Sequence, residues 1–302
     1  MKSNPLLIIV AFFSIYVFWG STYVMNKLAV TELDPLMLAC IRFTTAGSLI
    51  FIIAKCLKLS LKITKKQLLN CALAGFLFLA YGNGMFVWAL QFVDSGFAAI
   101  EASLQPLLIL VLMRIVDRKP IKLKSVVGII LGIIGIYLLV SQQELTTQEG
   151  SVLGMLVIFT CVLSWCIGSV FVSKAELPKN FFVNTGYQML LGGFMLGIAS
   201  VISGETWSFP TTWQTSTQLS LLGLIFFGSI AAFTSFNYLL KVVSTEKVAT
   251  SAYINPIIAI FLGWYFLDET ITTQTLVSAA VLLTGVYFIN SSKKMKKGKK
   301  FT

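Results

Sequence analysis

The feature that most constrains this chain is the spacing of its charges, prolines and glycines. Between them lie ten apolar runs, each close to the roughly 20 residues a helix needs to cross a bilayer. The runs cover residues 6–27, 35–54, 68–90, 96–116, 123–140, 151–173, 180–202, 217–240, 248–267 and 271–290. In lipid such a segment must pair its own backbone, so each run predicts a transmembrane helix and the chain an all-α membrane protein. Ten spans use most of the 302 residues and leave no room for a soluble domain. Only 12% of residues are charged, against about 25% in soluble domains, which excludes an ordinary cytosolic enzyme. The first run follows Lys2 as a signal sequence would, but it continues to Asn26-Lys27 without a small-residue cleavage site and reads as a retained helix.

Orientation follows from the basic residues, because short loops rich in Lys and Arg stay in the cytoplasm. With the N-terminus inside, all but two of the 23 Lys and Arg fall at inner loops and helix ends. The exceptions are Lys27, outside, and Arg42, within a span. Most acids, including Glu32, Asp34, Asp94, Glu144, Glu205, Asp268 and Glu269, fall outside. One span more or fewer would scramble this parity, so both termini are placed in the cytoplasm. The net charge of +11 is therefore a topology signal and not the footprint of a nucleic-acid partner. Lys293 to Lys300, within a basic cytoplasmic tail over 291–302, read as an anchor at anionic lipid headgroups.

Shifted by 150 positions, residues 91–137 align with 241–287 without a gap, pairing Pro106 with Pro256, Gly135 with Gly285 and Tyr137 with Tyr287. Nearer the start the shift is about 147, and Lys27 meets Lys174. The chain thus divides into two five-helix repeats, 6–140 and 151–290. Five is odd, so the second repeat enters the membrane from the opposite side, an arrangement that places a substrate near the midplane between the halves. Pro106 and Pro256 each lack a backbone donor halfway along a helix. Matched interruptions point to a binding site, while a pair of kinks that only aid packing is the alternative.

Arg42 and Glu101 are the ionisable side chains well inside spans, where such residues are costly. Both lie a similar number of residues from the outer ends of their helices, so an ion pair between them is one reading. The other makes them site elements, Glu101 exchanging a proton or Arg42 holding a carboxylate of the substrate. Trp19, Tyr81, Asn83, Trp88, Gln105, Trp165, Asn237, Tyr238, Tyr253 and Asn255 are candidate substrate-binding residues of a wet, aromatic-lined cavity. The Gly-x-x-x-Gly step at Gly128 and Gly132 fits a dimer face or internal packing. The chain has no histidine, no phosphate-binding glycine motif, no nucleophile elbow and no acidic metal cluster. No catalytic, metal or cofactor residues are assigned, and Cys40, Cys56, Cys71, Cys161 and Cys166 read as small core residues.

Phe18-Trp19-Gly20-Ser21, Arg42-Phe43, Pro106-Leu107, Asn255-Pro256 and Leu267-Asp268-Glu269, in this order within a five-plus-five repeat, resemble the drug/metabolite transporter superfamily in its bacterial EamA branch. The resemblance implies two EamA-like domains, a central cavity and a bacterial inner-membrane permease that exports small metabolites, such as amino acids or toxic analogues, by alternating access. It departs from the family where Glu269 of the second half aligns with Lys119 in the first. A facilitator or importer, including an exchanger of nucleotide sugars, is the alternative within transport, although such a site would call for more intramembrane cations than Arg42. An intramembrane enzyme or an interaction protein is the alternative outside it. Oligomeric state is left open. A reporter active only in the periplasm, fused at Ser292, is expected to be silent; activity there would overturn the assigned topology.

Overall fold

A computed structural model of the protein describes residues 5–117, 123–141 and 149–291. All regular structure among them is helical, as the demand for internal backbone pairing requires. The helices are α1 (Pro5–Ala29), α2 (Pro35–Cys56), α3 (Lys65–Ala89), α4 (95–117), α5 (Leu123–Val140), α6 (Ser151–Lys174), α7 (Phe181–Ile202), α8 (Thr215–Val242), α9 (245–267) and α10 (Thr273–Ser291). Seven are long and apolar enough to cross a membrane, and α5, α9 and α10 carry shorter apolar stretches. Arg118, Lys119, Glu144 and the tail 292–302 lie outside the described residues.

The bundle has a basic face, with Lys55, Lys65, Lys174 and Lys241 at helix ends, and an acidic face with Glu32, Asp94, Glu205 and Glu269. Helix pairing follows the inverted repeat. The α2 helix packs along α7 and α5 along α10, each against its own repeat equivalent. The α3–α6 contact recurs as α8–α1, and α6–α4 recurs as α1–α9. This crosswise pattern sets α1, α3, α4, α6, α8 and α9 around the centre and leaves α2/α7 and α5/α10 as flanking pairs. Two inverted five-helix halves interlock in this way only if each helix of one copy meets the partner that its equivalent meets in the other.

The α5/α10 seam shows what holds a flanking pair together. A Cβ on Gly285 would come within 2.7 Å of the Gly128 carbonyl and 3.0 Å of the Gly132 nitrogen. The small-residue step of α5 therefore packs against α10 of the same chain, where backbone contact replaces the hydrophobic drive that lipid does not supply.

Several central helices depart from regular α geometry at mid-depth. Wide π turns occupy Ser14–Phe18 of α1, Phe76–Met85 of α3 and Leu224–Phe233 of α8, the last two at equivalent places in the two halves. Such turns often mark functional sites. The α4 helix is broken into Ser95–Ala102 and Gln105–Asp117, and α9 into Thr245–Val248, a 3-10 turn Ala249–Tyr253 and Asn255–Leu267. Pro106 and Pro256 each stand at the second position of the resumed helix, where the missing N–H costs least. Gly285→Leu is expected to force α5 and α10 apart and cost about 1–3 kcal/mol, read as a lower thermal unfolding midpoint in detergent.

Candidate functional site

The central helices enclose a cavity of about 100 Å³. Trp19, Thr22, Tyr23 and Asn26 of α1 form one wall, at helical spacing, and Arg42, Asn83, Gln105, Trp165, Phe233 and Asn255 bring in six further helices. Toward the basic face it is floored by rings: Trp19 and Trp165 meet edge to face at 5.5 Å, and Phe78 and Phe236 pack against Trp165 at 4.8 and 5.5 Å.

Arg42 is only 3% exposed, and its partners are neutral. Its Nε donates to Ser229 Oγ at 2.8 Å, while Nη1 lies 3.5 Å from the side-chain oxygens of Asn26 and Asn83. The π turn of α8 presents Ser229, and the neighbouring Gly228 carbonyl accepts from Trp19 Nε1 at 3.1 Å. One irregular turn thus aims both the cation and the indole of the cavity wall.

No ion pair joins Arg42 to Glu101 among the described residues. Similar depth sets height in the bilayer, but the turn of α4 decides direction, and α4 offers Ala102 and Gln105 to the cavity. Glu101 is buried at 4% exposure, and its Oε2 has no hydrogen-bond partner among the described residues. The structure therefore keeps the two groups apart, each without a counter-ion among the described residues.

The polar and aromatic residues selected from the sequence divide into two groups. Trp19, Asn83, Gln105, Trp165 and Asn255 line the cavity with Arg42. Tyr81, Trp88, Asn237 and Tyr238 do not. The Tyr81 hydroxyl lies 3.0 Å from Thr160 Oγ1, Trp88 packs on Phe92 and Tyr238 on Phe181. Asn237 is fully buried in a network in which it donates to Thr185 and Gln188 and accepts from Asn184, tying α7 to α8 toward the basic face. The side chain of Tyr253 lies outside the described residues. The sequence reading missed Asn26, Tyr23, Gly228, Ser229 and Phe233. Asn26 was within reach, seven residues after Trp19 on one helical face; Ser229 was not, because only the π turn points it inward.

Asn255 has a structural task besides its place in the wall. With its amide nitrogen turned toward α1 it donates to the carbonyls of Ile15 and Tyr16, at 3.1 and 2.9 Å, and to Ser251 at 3.3 Å. The break in α9 thus bonds to the π turn of α1.

The acidic face is held differently. Glu205 accepts from the amides of Leu36 and Met37 at 2.9 and 2.7 Å, Glu32 from Gln214, and Glu269 from Ser95 and Gly96, so α2, α8 and α4 are each capped by the opposite half. On the basic face α3 and α7 are capped locally, by Thr64 and Asn180.

Two inverted five-helix repeats around a polar, aromatic-walled cavity define a membrane transporter. The chain belongs to the EamA-like transporter family, which it matches over residues 6–141 and 152–291. It is 36% identical to the inner membrane transporter YedA of Escherichia coli, covering 94% of this chain and 90% of that one. It is 25% identical to an Escherichia coli protein named "Probable amino-acid metabolite efflux pump", with 90% and 91% covered. A crystal structure of 16% identity shares the fold at a TM-score of 0.71 over 96% of this chain and 98% of its own. Asn255→Leu is expected to remove the amide that joins α9 to α1 and lower stability by about 1–3 kcal/mol, whereas Asn83→Leu should shift the unfolding midpoint far less.

Proposed function

We propose that the protein exports small metabolites that carry a carboxylate, amino acids or their toxic analogues among them, by alternating access of the central cavity to the two faces. The observation that carries this reading is Arg42: a buried guanidinium on the cavity wall, aligned by Ser229, Asn26 and Asn83, with no protein carboxylate paired to it among the described residues. A guanidinium in this setting favours a charge-assisted, two-pronged bond to a substrate carboxylate. Trp19, Trp165, Tyr23 and Phe233 supply apolar wall for the rest of the molecule. The outward direction is supported by the relative named as a probable amino-acid metabolite efflux pump. A cavity of this size with one cation does not favour a nucleotide sugar.

Glu101 is the coupling residue in this reading, a buried carboxylate with an unpartnered oxygen on a broken helix, suited to take up and release a proton as the halves rock. The basic face is cytoplasmic by the distribution of Lys and Arg, and each five-helix half, 6–140 and 151–290, moves as a domain. The setting is the bacterial inner membrane, in keeping with the relative YedA.

Reconstitution in liposomes tests the reading. Counterflow of carboxylate-bearing solutes is expected in the wild type and should fall roughly tenfold or more in Arg42→Gln, the loss of one charged hydrogen-bonding group. Glu101→Gln should keep counterflow and lose its dependence on an imposed pH gradient. Unchanged gradient dependence would remove Glu101 as the coupling residue, and no counterflow across a broad panel of amino acids and organic acids would remove export of such solutes.

A further inference from the structure

The end of α9 reaches across the acidic face to the start of α4. Asp268 adopts a left-handed conformation (φ 52°) that stops α9 and turns the next residue back over it. Gly263 leaves room for this return, since a Cβ there would come within 2.8 Å of Ser95 Oγ and would collide with the Glu269 carboxylate. Glu269 then accepts three bonds, from Ser95 N at 2.7 Å, Ser95 Oγ at 2.8 Å and Gly96 N at 3.1 Å. A carboxylate placed this way satisfies amides that the helix itself cannot and interacts well with its dipole.

The element it holds is half a helix. Ser95–Ala102 is cut from the rest of α4 at Ser103–Leu104, and its inner end brings Ala102 to the cavity wall. The residue in position to cap it from its own half interacts with the Lys27 ammonium instead. Asp94 has extended N-cap geometry (φ −71°, ψ 150°) and a residue type that caps well, yet its side chain makes no bond to the α4 amides. The start of α2 repeats the pattern: Asp34, its N-cap residue, accepts from Thr206 of the opposite half while Glu205 serves the α2 amides. Capping across the halves is thus seen on the acidic face, while the described basic-face caps of α3 and α7 are local.

We propose that Glu269 is the latch of a gate on the acidic face: bonded to Ser95–Ala102 it keeps the cavity shut to that side, and when the halves part Asp94 swings in as replacement cap. This rests on the alternating-access reading above. The exchange keeps the end of α4 satisfied in both states, so the gate opens without stranding two amides at the membrane surface. It also gives the two acids opposite effects: Glu269 stabilises the shut state and Asp94 the open one, each by about the worth of one helix cap, roughly a fivefold change in the population ratio.

Paired spin labels at the exposed positions Gln91 and Thr270, in full-length protein without its five cysteines and reconstituted in lipid, read the separation across the latch. Glu269→Ala should raise the ratio of long to short distances roughly fivefold, Asp94→Ala should lower it by a similar factor, and Asp94→Asn, which still caps, should match the parent. Glu269→Gln, which keeps one acceptor oxygen, should shift the ratio the same way as Glu269→Ala and serves if the alanine variant does not fold. Shifts of the same sign in the Glu269 and Asp94 variants, or no shift in either, would overturn the latch. No substrate is present, so the distances judge the gate separately from the transport assays that judge the function.

Discussion

Everything in this protein depends on the requirement that backbone N–H and C=O groups inside a bilayer find partners within the protein. A regular helix meets it unaided, which is why the flanking helices α2, α5, α7 and α10 are regular and pack through small residues such as Gly128, Gly132 and Gly285. The central helices other than α6 break the rule where the cavity lies, and at α1 and α8 a specific side chain compensates. The π turn of α1 is served by Asn255 from the break in α9, and the Trp19 indole uses the Gly228 carbonyl of the α8 π turn. The irregularities of the two halves are therefore mutually supporting, and the cavity is built where they meet.

The same logic sorts the charges. At the acidic face Glu32, Glu205 and Glu269 bind the free amides of helix starts, so their negative charge is matched by helix dipoles of the opposite half. In the interior Arg42 is oriented by neutral oxygens and Glu101 is left with an unpartnered oxygen. Charges that hold the halves together are satisfied by amides of the opposite half, whereas the Arg42 guanidinium on the cavity wall is bonded to neutral oxygens.

Much of this was legible in the chain. The ten spans fall within about three residues of their observed ends because hydropathy and length alone decide them. The breaks in α4 and α9 were visible as Pro106 and Pro256. Of the candidate wall residues, Trp19, Asn83, Gln105, Trp165 and Asn255 reached the cavity, Gln105 and Asn255 as the residues before the two prolines. Tyr81, Asn237 and Tyr238 did not, and Ser229 met Arg42 unforeseen, because they lie in or just beyond the π turns of α3 and α8, which rotate side chains by an amount no regular period anticipates.

By itself the sequence determined the number of helices and the inverted repeat, since these rest on composition, charge parity and local backbone chemistry that act along the chain, and its short motifs carried the family resemblance. Only the tertiary structure decided which partner each polar group takes. It separated Arg42 from Glu101, gave Asn255 to the α1 carbonyls and set Glu269 across the halves onto α4 in place of Asp94. The reason is geometric: depth in the membrane is a property of position in the sequence, whereas azimuth about a helix axis depends on every turn before it and on the neighbour it faces.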